Sequence, residues 1–222
     1  EGLSSIKRQS QERYLSVKAG ISPGYNIGLV SQELENKIDK EYKAPDGYKI
    51  EFSGENEMIK KSLRDLVYML LLAVALIYLI MVAQFQSLLS PFIIMFTLPL
   101  AFTGGLLALY ITGNEISLIS MLGFLVLAGV VVNNGIVFVD YTNQLRARGN
   151  TVDEALIMAG KTRIRPILMT AITTILGLST LSLGVGVGSE MIQPLAIVAV
   201  GGLAYATVLT LIVVPVMYRV LH

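Results

Sequence analysis

The run Leu66-Val67-Tyr68-Met69-Leu70-Leu71-Leu72-Ala73-Val74-Ala75-Leu76-Ile77-Tyr78-Leu79-Ile80-Met81-Val82-Ala83 decides the class of this protein. It holds no charge, and the charge-free stretch continues from Asp65 to Glu115. A hydrocarbon core about 30 Å thick is crossed by about 20 apolar residues in a helix, the conformation that satisfies every backbone group without water. One crossing fits before the polar turn Gln84-Phe85-Gln86-Ser87-Leu88-Leu89-Ser90-Pro91. A second fits after it, with Pro91 near the helix start, where a missing N–H is tolerated. Charge-free gaps recur from Glu115 to Asp140, from Arg165 to Glu190 and from Glu190 to Arg219. The expectation is an α-helical membrane protein with five spans, at about 63–83, 90–111, 116–141, 165–185 and 191–220. Five such runs exceed what the core of a soluble protein holds.

Composition points the same way. The 222 residues are 54% hydrophobic and 15% charged, with a mean hydropathy of +0.66, whereas soluble domains are about 25% charged. Residues 1–66 hold 11 of the 17 Lys/Arg and 11 of the 16 Asp/Glu. A polar domain over residues 1–54 is therefore expected ahead of a transmembrane domain over 55–222. The net charge of +1, with no basic run, argues against a nucleic-acid partner. There is no Cys, which excludes disulfides, thiolate metal sites and Cys nucleophiles. The single His, at position 222, leaves no material for a His-based triad or zinc site. With no phosphate-binding loop either, neither an enzyme nor a cofactor or metal site is expected. The chain opens on Glu1 within a polar stretch and reads as a fragment or processed piece.

The polar domain reads as a β-α-β unit. Leu15, Val17, Ala19 and Ile21 alternate with Ser16, Lys18 and Gly20, the period of a half-buried strand, before the turn Pro23-Gly24-Tyr25-Asn26. Ile27, Val30, Leu34 and Ile38 then fall on one helix face. After Pro45-Asp46-Gly47, Tyr48, Ile50 and Phe52 alternate as a second strand. Two strands and one helix are marginal alone, so further strands are expected from preceding sequence.

Loop charge gives an orientation. Residues 142–165 carry Arg146, Arg148, Lys161, Arg163 and Arg165 against Asp153 and Glu154, while the loops at Glu115 and Glu190 carry only acid. By the positive-inside rule the basic loop is cytoplasmic. The polar domain then lies outside the cytoplasmic membrane and the C-terminus inside. Within the basic loop, Thr151-Val152-Asp153-Glu154 fits a capping box, which starts a short amphipathic helix at about 152–159 on the inner membrane surface, ended by Gly160.

Polar groups inside the spans are costly in lipid, so they are candidates for function. Asn133 and Asn134 sit mid-span in Gly129-Val130-Val131-Val132-Asn133-Asn134-Gly135-Ile136-Val137. As structural residues they would be interhelical hydrogen-bond donors and acceptors worth about 0.6–2 kcal/mol each. Asp140 lies nearer the cytoplasmic end, where snorkelling or a pair with Arg146 is inexpensive. Gly104, Gly105, Gly123, Gly129, Gly135, Gly177, Gly201 and Gly202 allow close helix approach.

Residues from about Gly54 to Leu221 resemble the end of a resistance-nodulation-division efflux permease of the hydrophobe and amphiphile branch. The resemblance is carried by Ala83-Gln84-Phe85-Gln86-Ser87, by the Asn-containing third span through Asp140-Tyr141, by Arg163-Ile164-Arg165-Pro166-Ile167-Leu168-Met169-Thr170, and by Val213-Val214-Pro215-Val216-Met217-Tyr218. The β-α-β unit is similar to the part of that family's porter domain preceding its eighth span, which makes the five spans the family's eighth to twelfth. The resemblance implies a trimeric drug/proton antiporter, partnered by membrane lipid, by the N-terminal half of the same transporter, by an adaptor and an outer-membrane channel, and by amphiphilic substrates. It also implies a proton relay between two aspartates of a fourth span, absent here, and a Lys in the tenth. Asn133 stands at the position matching that Lys, and an Asn supplies no switchable cation. Arg163 and Thr170 match relay positions in the eleventh span. Other readings are a heavy-metal, lipid-export or protein-export member of the superfamily, or a structural or receptor-like membrane domain without a relay.

Overall fold

The computed structural model describes residues 7–9, 11–20, 22, 27–42, 44–45, 47–52, 55–184, 186 and 188–221. The chain divides into two compact units, Glu1–Met58 and Ile59–His222.

In the first unit, β1 (Arg8–Gln9) and β2 (Glu12–Arg13) form a short antiparallel hairpin with Arg8 opposite Arg13, and α1 covers Ile27–Glu41. A helix forms where one was expected, but its apolar face is only partly covered: Val30 and Ile38 are half-buried, Leu34 is exposed, and Lys37 pairs with Glu33 one turn earlier on the solvated side. The two expected strands are not paired in a sheet. Residues 14–20 and 48–52 have no ladder partner among the described residues, and Leu15 and Val17 are exposed. The alternation is present, but a strand needs both a neighbour and a surface to cover its apolar side. Ile21 and Pro23-Gly24-Tyr25-Asn26 lie outside the described residues.

The second unit is helical. α2 (Glu55–Phe85), which begins just ahead of it, is followed by α3 (Leu89–Met95), α4 (Thr97–Thr112), α5 (Leu118–Ala147), α6 (Val152–Ser182) and α7 (Ser189–Leu221). Among the described residues, five helices are long and apolar enough to cross a membrane, with α3 and α4 together forming the second, Leu89–Thr112. The break between α3 and α4 falls at Phe96, and Pro99 accounts for it. Proline has no N–H to give the Met95 carbonyl, and its ring crowds that carbonyl. Beside the break, Thr97 donates its hydroxyl to Ile94 O at 2.7 Å. Between α2 and α3 the chain reverses through Gln86, whose φ of 48° is left-handed.

Helix ends follow local chemistry. Ser117 and Ser120 form a reciprocal capping box at the start of α5. Thr151 and Glu154 form another at the start of α6, Glu154 Oε2 accepting from Thr151 N at 3.0 Å. Gly113 and Gly149, at φ of 70° and 94°, close α4 and α5 where a side chain would be strained. The short helix expected at 152–159 and the fourth span are one helix. Gly160 does not take the left-handed conformation of a C-cap, and α6 runs through it and through Pro166. Membrane helices tolerate such a proline, since neighbouring groups re-satisfy the freed carbonyl.

α7 is the hub, packing on α4, α5, α6 and α3. Its crossing with α4 depends on small residues. A Cβ on Gly201 would collide with the Ala108 side chain, and one on Gly202 with Leu127. On α5, a Cβ at Gly123 would sit 2.8 Å from Leu195 O, and one at Gly135 2.9 Å from Ile94 Cγ2. Gly129 and Gly177 face open space, so the close-approach reading fails at those two positions. Two apolar clusters result: one built on Ile94, Val132, Phe138, Val139, Val214 and Tyr218, the other on Ala101, Leu127, Val198, Leu203 and Ala206. In contrast, α2 is only 6% buried and α6 only 11% over their apolar windows. Leu71, Leu72, Leu76, Leu79 and Ile80 of α2 are exposed. Apolar faces of that extent need lipid or further helices against them.

Candidate functional site

α5 and α6 bring the polar residues of the spans together. They pack antiparallel: the Arg163 guanidinium lies 4.5 Å from the Tyr141 ring centroid, and seven residues along each helix, Thr170 and Asn134 line one cleft. Seven residues is nearly two helical turns, about 10 Å, and returns to the same face. The α5–α6 interface therefore has two levels. The mid-span level is a cleft of about 420 Å³ lined by Gly129, Val130, Asn133 and Asn134 of α5, Thr170, Ala171 and Thr174 of α6, and Leu203 of α7. The second level holds Tyr141 and Arg163.

The open face of Gly129 helps make the cleft, because a larger side chain there would project where nothing now packs. Asn134 is buried and Asn133 exposed, and neither amide forms an interhelical hydrogen bond among the described residues. Both belong to the cleft wall. Thr170 donates its hydroxyl to Ile167 O at 3.0 Å, and Thr174 donates to Thr170 O at 2.9 Å, so each hydroxyl oxygen still has a lone pair to offer. The lining thus combines two amides and two hydroxyls, which are donors and acceptors without fixed charge. Such a set can hold water or a protonated carboxyl and can relay a proton by hydrogen-bond exchange, but it cannot neutralise an anion.

Arg163 supplies the charge at the other level. Its Nε is buried without a hydrogen-bond partner, and its guanidinium covers Tyr141. Asp140, beside Tyr141 in sequence, forms no ion pair with Arg146 among the described residues; its Oδ2 accepts from Gln144 Nε2 at 2.8 Å on the same helix. Of the five candidates, Asn133, Asn134 and Thr170 share the cleft, and Arg163 and Asp140 lie at or next to the second level.

Two polar connections escaped the sequence reading. Tyr218 of α7 donates to Asn143 Oδ1 at 2.6 Å, and Asn143 Nδ2 donates to Ser90 Oγ of α3 at 3.3 Å, linking three helices through groups of which Ser90 and Tyr218 are fully buried. Asn143 falls just past the expected end of its span at 141. Arg219 and Asp153 form a bidentate exposed pair, Nε to Oδ1 at 3.0 Å and Nη2 to Oδ2 at 3.1 Å, tying the end of α7 to the start of α6. They stand 66 positions apart, and no local pattern signalled the pairing.

Known proteins are similar to this chain along its whole length. The family described as AcrB/AcrD/AcrF matches residues 1–222. The chain is 44% identical over 218 residues, 98% of its length, to the swarming motility protein SwrC of Bacillus subtilis (strain 168). It is 34% identical over 221 residues to the cobalt-zinc-cadmium resistance protein CzcA of Cupriavidus metallidurans. It is 33% identical over 215 residues to the multidrug resistance protein MdtC of Erwinia tasmaniensis. The crystal structure of a heavy metal efflux pump, crystal form II, superposes with a TM-score of 0.77 at 33% identity, covering 89% of this chain and 19% of that one. The chain spans about a fifth of the length of these relatives, 20% of SwrC and 21% of CzcA and MdtC. Five membrane-length helices, their order, and a family match along the whole sequence lead to one assignment: the chain belongs to the AcrB/AcrD/AcrF family of resistance-nodulation-division permeases.

Proposed function

We propose that this chain is part of a proton-motive-force-driven efflux pump that exports amphiphilic compounds by drug/proton antiport, and that α5 and α6 form the receiving side of its proton relay. The observation carrying the proposal is the cleft in which Asn133, Asn134 and Thr170 meet mid-span, with Arg163 two turns away on the same face of α6. A carboxylate supplied by the N-terminal half of the transporter would face this wall. Protonated, it exchanges hydrogen bonds with the amides and Thr170; deprotonated, it is stabilised by the Arg163 charge. The change alters helix packing and so biases the porter domain between its open and closed forms. One proton crossing 100 mV supplies about 2.3 kcal/mol, which shifts a two-state equilibrium several tens of fold.

In this reading the first unit is extracytoplasmic, the Arg146–Arg165 region and the C-terminus are cytoplasmic, and the pump is a homotrimer in the inner membrane with an adaptor and an outer-membrane channel. The basic residues at 146, 148, 161, 163 and 165 support the orientation.

Export of heavy-metal ions is the second reading. The 34% identity to CzcA and the likeness to the heavy metal efflux pump favour it. Asn133→Ala in the full transporter tests the relay. Efflux should fall about tenfold, as expected when about 1.4 kcal/mol of coupling is lost, while membrane expression stays normal. Unchanged substrate accumulation would make Asn133 a packing residue.

A further inference from the structure

An arginine that only anchors a helix end to the membrane surface extends its guanidinium into water or headgroups. Arg163 does not. Its Nε is buried and has no acceptor, and the guanidinium lies 4.5 Å from the centre of the Tyr141 ring. Tyr141 is itself half-buried and packs on the cluster containing Val139, Phe138 and Ala159. The ring is therefore backed by packed side chains on one side. A cation above an aromatic face is held by the ring quadrupole, a contact that leaves the N–H groups along its edge free to point elsewhere. Arg163 is thus restrained in position while one of its donors stays unused.

We propose that Tyr141 is a positioning residue for Arg163: its ring holds the guanidinium at the second level of the α5–α6 interface, about 10 Å from the mid-span cleft, so that the buried Nε–H is ready for an anionic oxygen from another segment of the transporter. The proposal rests on the relay reading above, and it adds to it a residue outside the polar set and a reason for the orientation of Arg163. The phenol hydroxyl plays no part; the ring face does.

Chemical rescue in the full transporter tests the role. Proteoliposomes carrying Arg163→Ala should lose proton-coupled efflux, and millimolar guanidinium, but not sodium at the same concentration, should restore part of it by occupying the vacated ring face. Arg163→Ala combined with Tyr141→Phe should be rescued equally well. Arg163→Ala combined with Tyr141→Leu should be rescued about fivefold less at equal guanidinium, the factor expected for losing a cation–π contact of about 1 kcal/mol. Equal protein in the vesicles, checked for each variant, separates this from misfolding. Rescue that ignores the residue at 141, or no rescue with Tyr141 present, overturns the positioning role and leaves the relay intact. Full efflux by Arg163→Ala without guanidinium overturns the relay role of Arg163 itself and the positioning role with it.

Discussion

Asn133 and Asn134 were legible because amides inside an apolar helix stand against their background, and lipid makes each one costly, whereas Thr170 was named only through the family resemblance. Their grouping in one cleft was less so, since it depends on the antiparallel register of α5 and α6, which no local pattern encodes. Tyr141 was invisible as anything but the aromatic end of a span. Its role depends on Arg163, 22 residues later and across a turn. That contact leads to a prediction for Arg163→Lys. An ammonium keeps the charge but loses the planar face and the Nε–H, so efflux by the full transporter should drop about fivefold, in line with a lost contact near 1 kcal/mol. Transport assays at matched expression would check it; wild-type efflux would mean that position 163 needs only a positive charge.

At the level of helices, hydropathy located the spans but not their lengths or continuity. α6 absorbed the expected surface helix because Gly160 keeps a helical backbone, and a glycine signals a stop only when its φ turns positive. The second span split at Phe96 because of a proline three residues later, a signal present in the sequence but outweighed by continuous apolarity. The strands of the first unit show the opposite problem. Their alternation is real, yet pairing depends on partners that two segments and one helix do not provide. Glycine behaviour distinguishes packing from backbone freedom here. Gly201→Leu should destabilise the bundle by about 1–3 kcal/mol, because its side chain meets Ala108 across the α4–α7 crossing. Gly177→Ala and Gly160→Ala face open space and should be neutral or stabilising by up to about 1 kcal/mol. Thermal unfolding in detergent followed by size-exclusion chromatography would rank the three. A destabilised Gly160→Ala would contradict the continuous helix.

Across the whole molecule, the bundle is asymmetric in its exposure. α5, α7 and the span formed by α3 with α4 are about half buried over their apolar windows, at 56%, 50% and 44%, whereas α2 and α6 are nearly bare. That pattern fits a bundle with further neighbours, lipid or protein, against α2 and α6, and the chain spans 20–21% of its relatives. The sequence carried this much through its charge distribution and motif order. Substrate class was beyond its reach, because relatives as different as CzcA and MdtC share similar identity to the same bundle. The central claim is a division of labour: this chain holds the uncharged wall and the arginine of a proton relay, and the driving carboxylates lie elsewhere in the transporter. Proton flux under an imposed pH gradient tests it in matched proteoliposomes. Vesicles with the full transporter should show substrate-dependent proton flux that Arg163→Ala abolishes, while vesicles with residues 1–222 alone should equal empty ones. Specific proton flux through residues 1–222 alone, or substrate-dependent flux that survives Arg163→Ala, would contradict the account.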